Sequence, residues 1–395
     1  MLFQRASMSF SLPCALAAFV VLLAAFVRAL FQARRLARRP VMVETDEHEG
    51  KPWPTVSIII PARNEEENID ACLASLGRSD VPLAQVVVVD DASNDATVER
   101  AKRWKDRLPL KIMAAPDVGE PGLNRKSLAL WRGASVATGE WLLFLDADVA
   151  VRPSSLGLAL THCRVHGAKV FSCGGIYPNH SLLVDVLEDV TYLCTFLFMP
   201  LRAIDDPADP ITWVTGQFVL FDRRTYLDLG GHRRIATFTQ DDLALGRLCK
   251  REALPYHYVP QAQLFECRNY ATLSQALRGW ARMTAAGAPW LGFGPGTFLL
   301  LLGSLGALGC SMGCALYALA LGTPAATFPH LAVLVSTVGL LALQRRGMGK
   351  RVAPAALAPL GLGLALVVYL WAFVLRFGRG KVLFGGRELR IDRPI

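Results

Sequence analysis

Charge is scarce in this sequence. Of 395 residues, 19% are Asp, Glu, Lys or Arg and 52% are hydrophobic, whereas an ordinary soluble domain carries about 25% charge. That balance excludes a disordered chain, a coiled coil and a purely soluble fold. Paired cysteines are lacking too. The nine are scattered from Cys14 to Cys314 with no CxxC pair, which reads as reduced, structural thiols rather than a disulfide framework. Repeats and low-complexity tracts are absent, and no nucleic-acid-binding motif accompanies the net charge of +9. Much of that excess lies in clusters beside apolar runs: Arg28 to Arg39, Arg345 to Arg351 and Arg376 to Arg393. Basic residues in such places set membrane topology and attract anionic headgroups, so nucleic acid is excluded as a partner.

The apolar residues gather into runs. Ser9–Val27 contains no charge, and further runs extend over about 297–321, 328–343 and 355–375. Each is near the roughly 20 residues that a bilayer-crossing helix needs. Between Val27 and Thr297 no comparable run occurs. The layout expected is one N-terminal span, a polar central domain and about three C-terminal spans. The first run has only Arg5 before it and Arg28, Arg34, Arg35, Arg38 and Arg39 after it. That polarity predicts an uncleaved anchor with the central domain in the cytoplasm. By the same rule the basic loop 345–351 is cytoplasmic, which sends the last run outward. Yet the tail beyond it carries Arg376, Arg379, Lys381, Arg387, Arg390 and Arg393. Either the last segment is re-entrant or the tail breaks the rule.

Within the central domain, short β-branched runs alternate with helical spacing. Val56–Ile60 and Val86–Val89 read as buried parallel strands, with Leu110–Ala114 and Trp141–Leu145 as two more. Helical patterns follow at Glu65–Leu76, from a cap at Ser93 or Asn94 to Lys105, and at Lys126–Ala137. The alternation predicts an open, mostly parallel α/β sheet, whose ligands bind beyond the carboxyl ends of the strands. The apolar stretch Leu182–Leu201 fits either a helix at the bilayer surface or a core helix.

Acidic residues mark those strand ends. Asp146 and Asp148 follow Trp141–Leu145, where two carboxylates hold one divalent cation and through it a diphosphate; hard oxygen ligands suit Mg2+ or Mn2+. Taken alone, the pair also fits a turn that caps the next helix. Asp90 and Asp91 close the second strand, and Arg63, Asn64 and Glu65 follow the first. Asp241 and Asp242 precede another helical pattern, where a carboxylate can take a proton from an acceptor hydroxyl. His162 and His166 lie one helical turn apart with no third ligand nearby in sequence and read as a solvated helix face. His232 reads as a loop residue near the acceptor.

In order, VSIIIPARNEEENI (56–69), VVVVDDASNDAT (86–97), NRKSLALWRGASVATGEWLLFLDADV (124–149), TGQFVLFDRRTYLDLGGH (215–232) and QDDLALGRLCKREAL (240–254) resemble the family 2 glycosyltransferases with a GT-A fold, over about residues 56–285. The resemblance implies nucleoside contacts at Asp90 and Asp91 with Glu65 nearby, metal and diphosphate binding at Asp146 and Asp148, and a base at Asp242. Asp241 stands where the family has Glu. Lys126 follows Arg125, which replaces the family's glycine, and is expected to reach a phosphate. Gln217 is placed beside the acceptor pocket. Gln275, Arg278 and Trp280 match the family's Q/RxxRW with one extra residue before Trp, which turns Trp280 by about 100° on a helix. The alternative for that stretch is an amphipathic helix at the membrane.

The expected division is an anchor over 1–31, a basic linker over 32–54, the GT-A domain over 55–255, acceptor-side interfacial helices over 256–296, membrane helices over 297–377 and a basic tail over 378–395. The implied reaction is inverting, metal-dependent transfer from a nucleotide sugar, a UDP-sugar favoured, to a lipid acceptor. Four spans are few for a polysaccharide channel, and the layout resembles the branch acting on carotenoid or hopanoid-type lipids and, more distantly, the ceramide glucosyltransferases. A polysaccharide synthase or polyprenyl-phosphate glycosyltransferase is the alternative. A catalytically idle nucleotide-sugar-binding subunit is the reading from another class. The expected location is a bacterial inner membrane.

Overall fold

The computed structural model describes residues 16–29, 31–32, 34, 52–116, 123–178, 181–199, 201–260, 262–268, 270–320, 324–347, 350–384 and 387–391. They form two compact units. One joins Arg39–Pro178 with Arg202–Asn269; the other joins the described parts of Met1–Arg38, Asn179–Leu201 and Tyr270–Ile391. The linear division expected from sequence is thus interrupted: residues 179–201 leave the sheet unit and 256–269 stay in it.

The sheet unit opens with β1 (Val56–Ala62), β2 (Leu83–Asp90), β3 (Leu110–Ala114) and β4 (Trp141–Leu145), all mutually parallel. Crossover helices α2 (Ile69–Leu76), α3 (Thr97–Lys102) and α4 (Arg125–Ser135) connect them. Val86–Val89 and Ile58–Ile60 are fully buried, as expected of strands covered on both faces. Helix α4 comes close to the sheet at Gly133, where a Cβ would lie 2.5 Å from Ile59 Cγ2. Beyond β4 follow β5 (Val149–Val151), α5 (Ser155–His166), β6 (Val170–Cys173), β7 (Phe218–Asp222), α8 (Arg223–Leu229), α9 (Asp241–Arg251), β8 (Tyr256–Val259) and β9 (Phe265–Cys267). The sheet order is β3-β2-β1-β4-β7-β6-β8, with β7 antiparallel to both neighbours and β5 paired separately with β9.

Two local expectations change. The helix after β2 begins at Thr97 rather than directly after a cap at Ser93 or Asn94, and it is Asp95 that accepts from the Thr97 N–H (3.0 Å). Ser93 instead closes a turn, donating its N–H to Asp90 (3.2 Å). His162 is fully buried, not solvated: its Nε2 lies 3.2 Å from Nδ1 of His257 on β8. Burial, with His166 and His257 beside it, pushes the His162 imidazole down to about 4.

The second unit is helical: α1 (Leu16–Ala29), α6 (Leu182–Phe198), α10 (Leu273–Gly287), α11 (Pro295–Ala320), α12 (Pro324–Gly347) and α13 (Ala358–Phe373), then a hairpin of β10 (Lys381–Phe384) and β11 (Arg387–Arg390). A short α7 (Leu201–Asp205) follows α6. Among the described residues, three segments are long and apolar enough to cross a membrane: Pro295–Ala315, Phe328–Gly347 and Ala353–Arg379. Among the described residues this unit holds a buried charged cluster. Arg345, 2% exposed, pairs with Asp185 (2.7 Å) and Asp189 of α6, and Lys350 pairs with Asp185 (3.0 Å).

Candidate functional site

The carboxyl ends of β1, β2 and β4 carry the acidic residues that the sequence singled out. The turn after β4 is held by its neighbour β7, since Asp146 donates its N–H to the Gln217 carbonyl (3.3 Å). Lys126, in the first turn of α4, reaches this turn with Nζ 2.6 Å from Asp146 Oδ1. Burial disfavours the ammonium, but the charges of Asp146, Asp241 and Asp242 outweigh it and hold Lys126 protonated. One lysine therefore pairs with the carboxylate after β4 and feels the charge of the two at the start of α9.

Asp148 lies beside this pair. A chain of donors runs into it: Tyr177 donates to Gln217 Oε1 (2.7 Å), Gln217 Nε2 donates to Cys267 Sγ (3.1 Å), and the Cys267 thiol donates to Asp148. Burial and the nearby Asp148 charge keep Cys267 a thiol, which preserves that direction. Asp148 itself is pushed up to about 7, first by burial and then by Asp146 and Glu65. Its Oδ1 is buried and meets no hydrogen-bond donor. A buried carboxylate oxygen aimed at nothing is costly, and a divalent cation is a partner that satisfies it. The residues fit such an ion. Among the described residues no three His, Cys, Asp or Glu side chains converge on one point, and Asp146 turns both its oxygens to Lys126 (2.6 and 2.9 Å), so Asp146 and Asp148 would be the protein's share of such a site. Mg2+-type sites commonly complete such a pair with substrate phosphates and water.

Asp242 is the second residue of α9, after the Gln240 N-cap and Asp241. Its Oδ1 accepts the Leu243 N–H (2.7 Å), and Gly216 packs against its Cβ so closely that an added methyl would sit 3.2 Å away. Burial, then Asp241, pushes the Asp242 carboxyl up to about 7, the range in which a carboxylate serves as a general base near neutrality. Glu65 is raised chiefly by burial while accepting from Asn68 (2.8 Å).

The aspartates at the end of β2 are differently engaged. Asp91 is clamped by Arg125 and by Arg63 (3.4 Å), so the residue that replaces the family's glycine serves as a counter-ion. Asn64 and Ala92, both at positive φ (56°), sit in the loops after β1 and β2. These loops are tied together by Asn64 N–H to Ser93 Oγ (3.0 Å) and Asn94 N–H to Asn64 Oδ1 (2.9 Å). Strained residues held by their surroundings are common around binding sites.

Some expectations separate from this group. His232 is a core residue, 3% exposed, with Nδ1 2.9 Å from the Tyr226 hydroxyl and its ring against Phe144. Burial pushes its imidazole down to about 3. Gln275, Arg278 and Trp280 belong to α10 of the helical unit. The Gln275 side chain caps its own helix by accepting from Ala271 N–H (3.0 Å) and Thr272 N–H (3.1 Å), Arg278 is exposed, and Trp280 is buried edge-on to Tyr192. Sequence reasoning missed Cys267 and Tyr177. The pairing of Val149 with Cys267 across β5 and β9 brings in Cys267, and Tyr177 joins through Gln217.

Comparison with known proteins agrees with this geometry. Residues 57–217 match the profile of "Glycosyl transferase family 2". The 4,4'-diaponeurosporenoate glycosyltransferase of Staphylococcus haemolyticus is 25% identical over 257 residues, 64% of this chain and 66% of that protein. The protein of the same name from Staphylococcus aureus USA300 is 25% identical over 235 residues, 59% of this chain and 61% of its own length. The match thus spans less than two thirds of these relatives. Among solved structures, the mannosyltransferase of Pyrobaculum calidifontis, in complex with GDP-Man and Mn2+, superposes with a TM-score of 0.51 at 19% identity, covering 93% of this chain and 99% of that one. That likeness speaks for the fold. A parallel sheet with its acidic turns at the strand ends, and a family profile that runs from β1 to Gln217, establish residues 57–217 as a family 2 glycosyltransferase domain.

Proposed function

We propose that the protein is a membrane-bound glycosyltransferase that moves a sugar from a nucleotide-sugar donor, a UDP-sugar favoured, to a lipid hydroxyl with inversion at the anomeric carbon. The observation that carries the proposal is the convergence on Lys126 of Asp146, which it contacts directly, and of Asp241 and Asp242. Asp242 takes the proton of the acceptor hydroxyl as that oxygen attacks the anomeric carbon, and the nucleoside diphosphate leaves from the opposite face. Its carboxyl at about 7 is matched to that task near neutral pH. Asp146 and Asp148 would hold Mg2+ or Mn2+, whose charge offsets that of the departing diphosphate. Lys126 adds a second cation at the same place, and Asp90, Asp91 and Glu65 border the nucleoside side. Gln217 supports Asp148 through Cys267 and borders the acceptor. Arg278, exposed on α10, is assigned to the lipid acceptor, with Gln275 fixing the start of its helix, while Trp280 packs inside the helical unit.

The lipid acceptor is supported by the three long apolar helices and by the names of the Staphylococcus relatives. The basic flank after α1 supports a cytoplasmic catalytic domain at a bacterial inner membrane. The test is nucleoside diphosphate release by detergent-purified protein across UDP- and GDP-sugars, with and without divalent metal and extracted lipid. Release that requires both metal and lipid and disappears in Asp242→Asn is the expected result. Absence of release from every donor, by folded protein that binds nucleotide, overturns the reading.

A further inference from the structure

Helix α13 and the tail pose a question that length and hydropathy leave open: the segment Ala353–Arg379 is apolar enough to cross a membrane, yet crossing would expel a basic tail. Contacts within the helical unit answer it, given the membrane placement proposed above. Helices α11 and α12 form an antiparallel hairpin joined through residues 321–323, with Ser311 Oγ 2.9 Å from His330 Nδ1. From that rung, Phe298 is thirteen residues back along α11 and Arg345 fifteen residues on along α12, so both lie near the same open end of the hairpin. Each is roughly 20 Å from the rung at 1.5 Å per residue.

Both ends of α13 are found at that open end. Its start is tethered there, because Lys350 donates its N–H to the Arg345 carbonyl (2.8 Å) and the Arg345 side chain donates to the Arg351 carbonyl. Its far end packs there too: the Phe373 and Phe377 rings lie 6.2 and 5.6 Å from the Phe298 ring. A 16-residue α13 is roughly 24 Å long. Had it crossed beside the hairpin, Phe373 would stand level with Ser311 and His330. Helix α6 tracks it from the same end. Asp185 and Asp189 hold Arg345 and Lys350, Gly361 is so close to α6 that a Cβ would meet Val190 and Val186 at 2.8 and 2.9 Å, and Tyr369 hydrogen-bonds with Cys194 and Thr195. The two helices run side by side in the same direction.

We infer that α13 does not cross the membrane but lies within one leaflet, over α6 and α10, and that the β10–β11 hairpin stays on the face that carries the basic loop 345–351. One side of α13 is covered, with Val368 buried among Val184, Leu187, Ala276 and Trp280. The other shows Leu360, Val367, Leu370 and Trp371, 39–48% exposed, a stripe at helical spacing that acyl chains of a single leaflet cover. Arg376, Arg379 and Lys381 then follow at headgroup depth, where anionic lipids attract them. The arrangement also removes the charge conflict, since all the C-terminal basic clusters fall on one face.

The test uses the full chain in cell membranes, with Arg346→Cys reporting the basic loop and Arg379→Cys and Arg390→Cys reporting the tail. All three positions are exposed on the protein. A membrane-impermeant maleimide is applied to intact spheroplasts and to inverted vesicles, beside the parent chain for its native thiols. The inference expects the three variants to label from the same side, with labelling lost from the other. Labelling of Arg379→Cys and Arg390→Cys from the side opposite Arg346→Cys overturns it while leaving the membrane reading intact. Release of the parent chain from membranes by carbonate washing would instead overturn the membrane reading, and this inference with it.

Discussion

The pH dependence of transfer should report Asp242. Its carboxyl titrates at about 7 because it is buried and faces Asp241. The base-competent carboxylate therefore rises from about 9% of molecules at pH 6 to about 91% at pH 8, and the rate of the chemical step should rise about tenfold over that interval. Single-turnover formation of glycosylated lipid, at saturating donor, metal and acceptor, isolates that step from product release. Asp242→Asn should lower the rate by about 10²–10⁴, the usual contribution of a positioned base, and the residual rate should be flat from pH 6 to 8. Without metal Asp148 is also pushed up to about 7, but saturating metal would hold it ionised, and the variant checks that separation. If the tenfold slope survives in Asp242→Asn, the titrating group is not Asp242 and the assignment of the base is wrong. The raised pKa has a second consequence. The unfolded carboxyl, near 4, releases its proton before the folded one does, so Asp242 costs stability increasingly as pH rises from about 4 to 7. Asp242→Asn should consequently have a higher Tm than the parent at pH 8, visible by calorimetry.

Three other outcomes follow from the same contacts. Asp148→Asn should abolish the metal-dependent part of nucleoside diphosphate binding measured by titration calorimetry, while metal-free binding stays near the parent value. His162, pushed down to about 4, contributes stability in its neutral form that is full above about 6.5 and lost as pH falls toward 4; His162→Phe should remove about 1–3 kcal/mol of that acid sensitivity in thermal unfolding. Arg345→Ala leaves Asp185 and Asp189 without their buried guanidinium and should destabilise the helical unit by about 3–5 kcal/mol, with Asp189→Asn recovering part of the loss in detergent melting curves.

Local patterns account for much of what was legible beforehand. The runs VSIII and VVVV are β-branched and apolar, so they specify buried strands wherever they sit, and the acidic pairs at their ends mark a ligand crevice through the geometry of an open α/β sheet alone. Asp146 and Asp148 stood out because they follow a recognisable strand end and Asp241 and Asp242 because they precede a helical pattern, whereas Lys126 was named only through the family resemblance. Their partners were not legible. Cys267 reaches Asp148 only through the pairing of β9 with β5. Arg63 and Arg125 close on Asp91 across a sheet whose strand order no local window contains. His162 meets His257 at a separation of 95 residues, and Arg345 meets Asp189 at 156.

Composition and periodicity thus determine that this chain carries a sheet domain with acidic strand ends and several helices apolar enough for a membrane, because burial preference and backbone period act within a few residues. The tertiary structure decides which carboxylate is held by Lys126, which oxygen of Asp148 is left without a donor, and on which side of the hairpin α13 ends. Those are properties of groups distant in sequence, and close packing alone brings them within reach of one another.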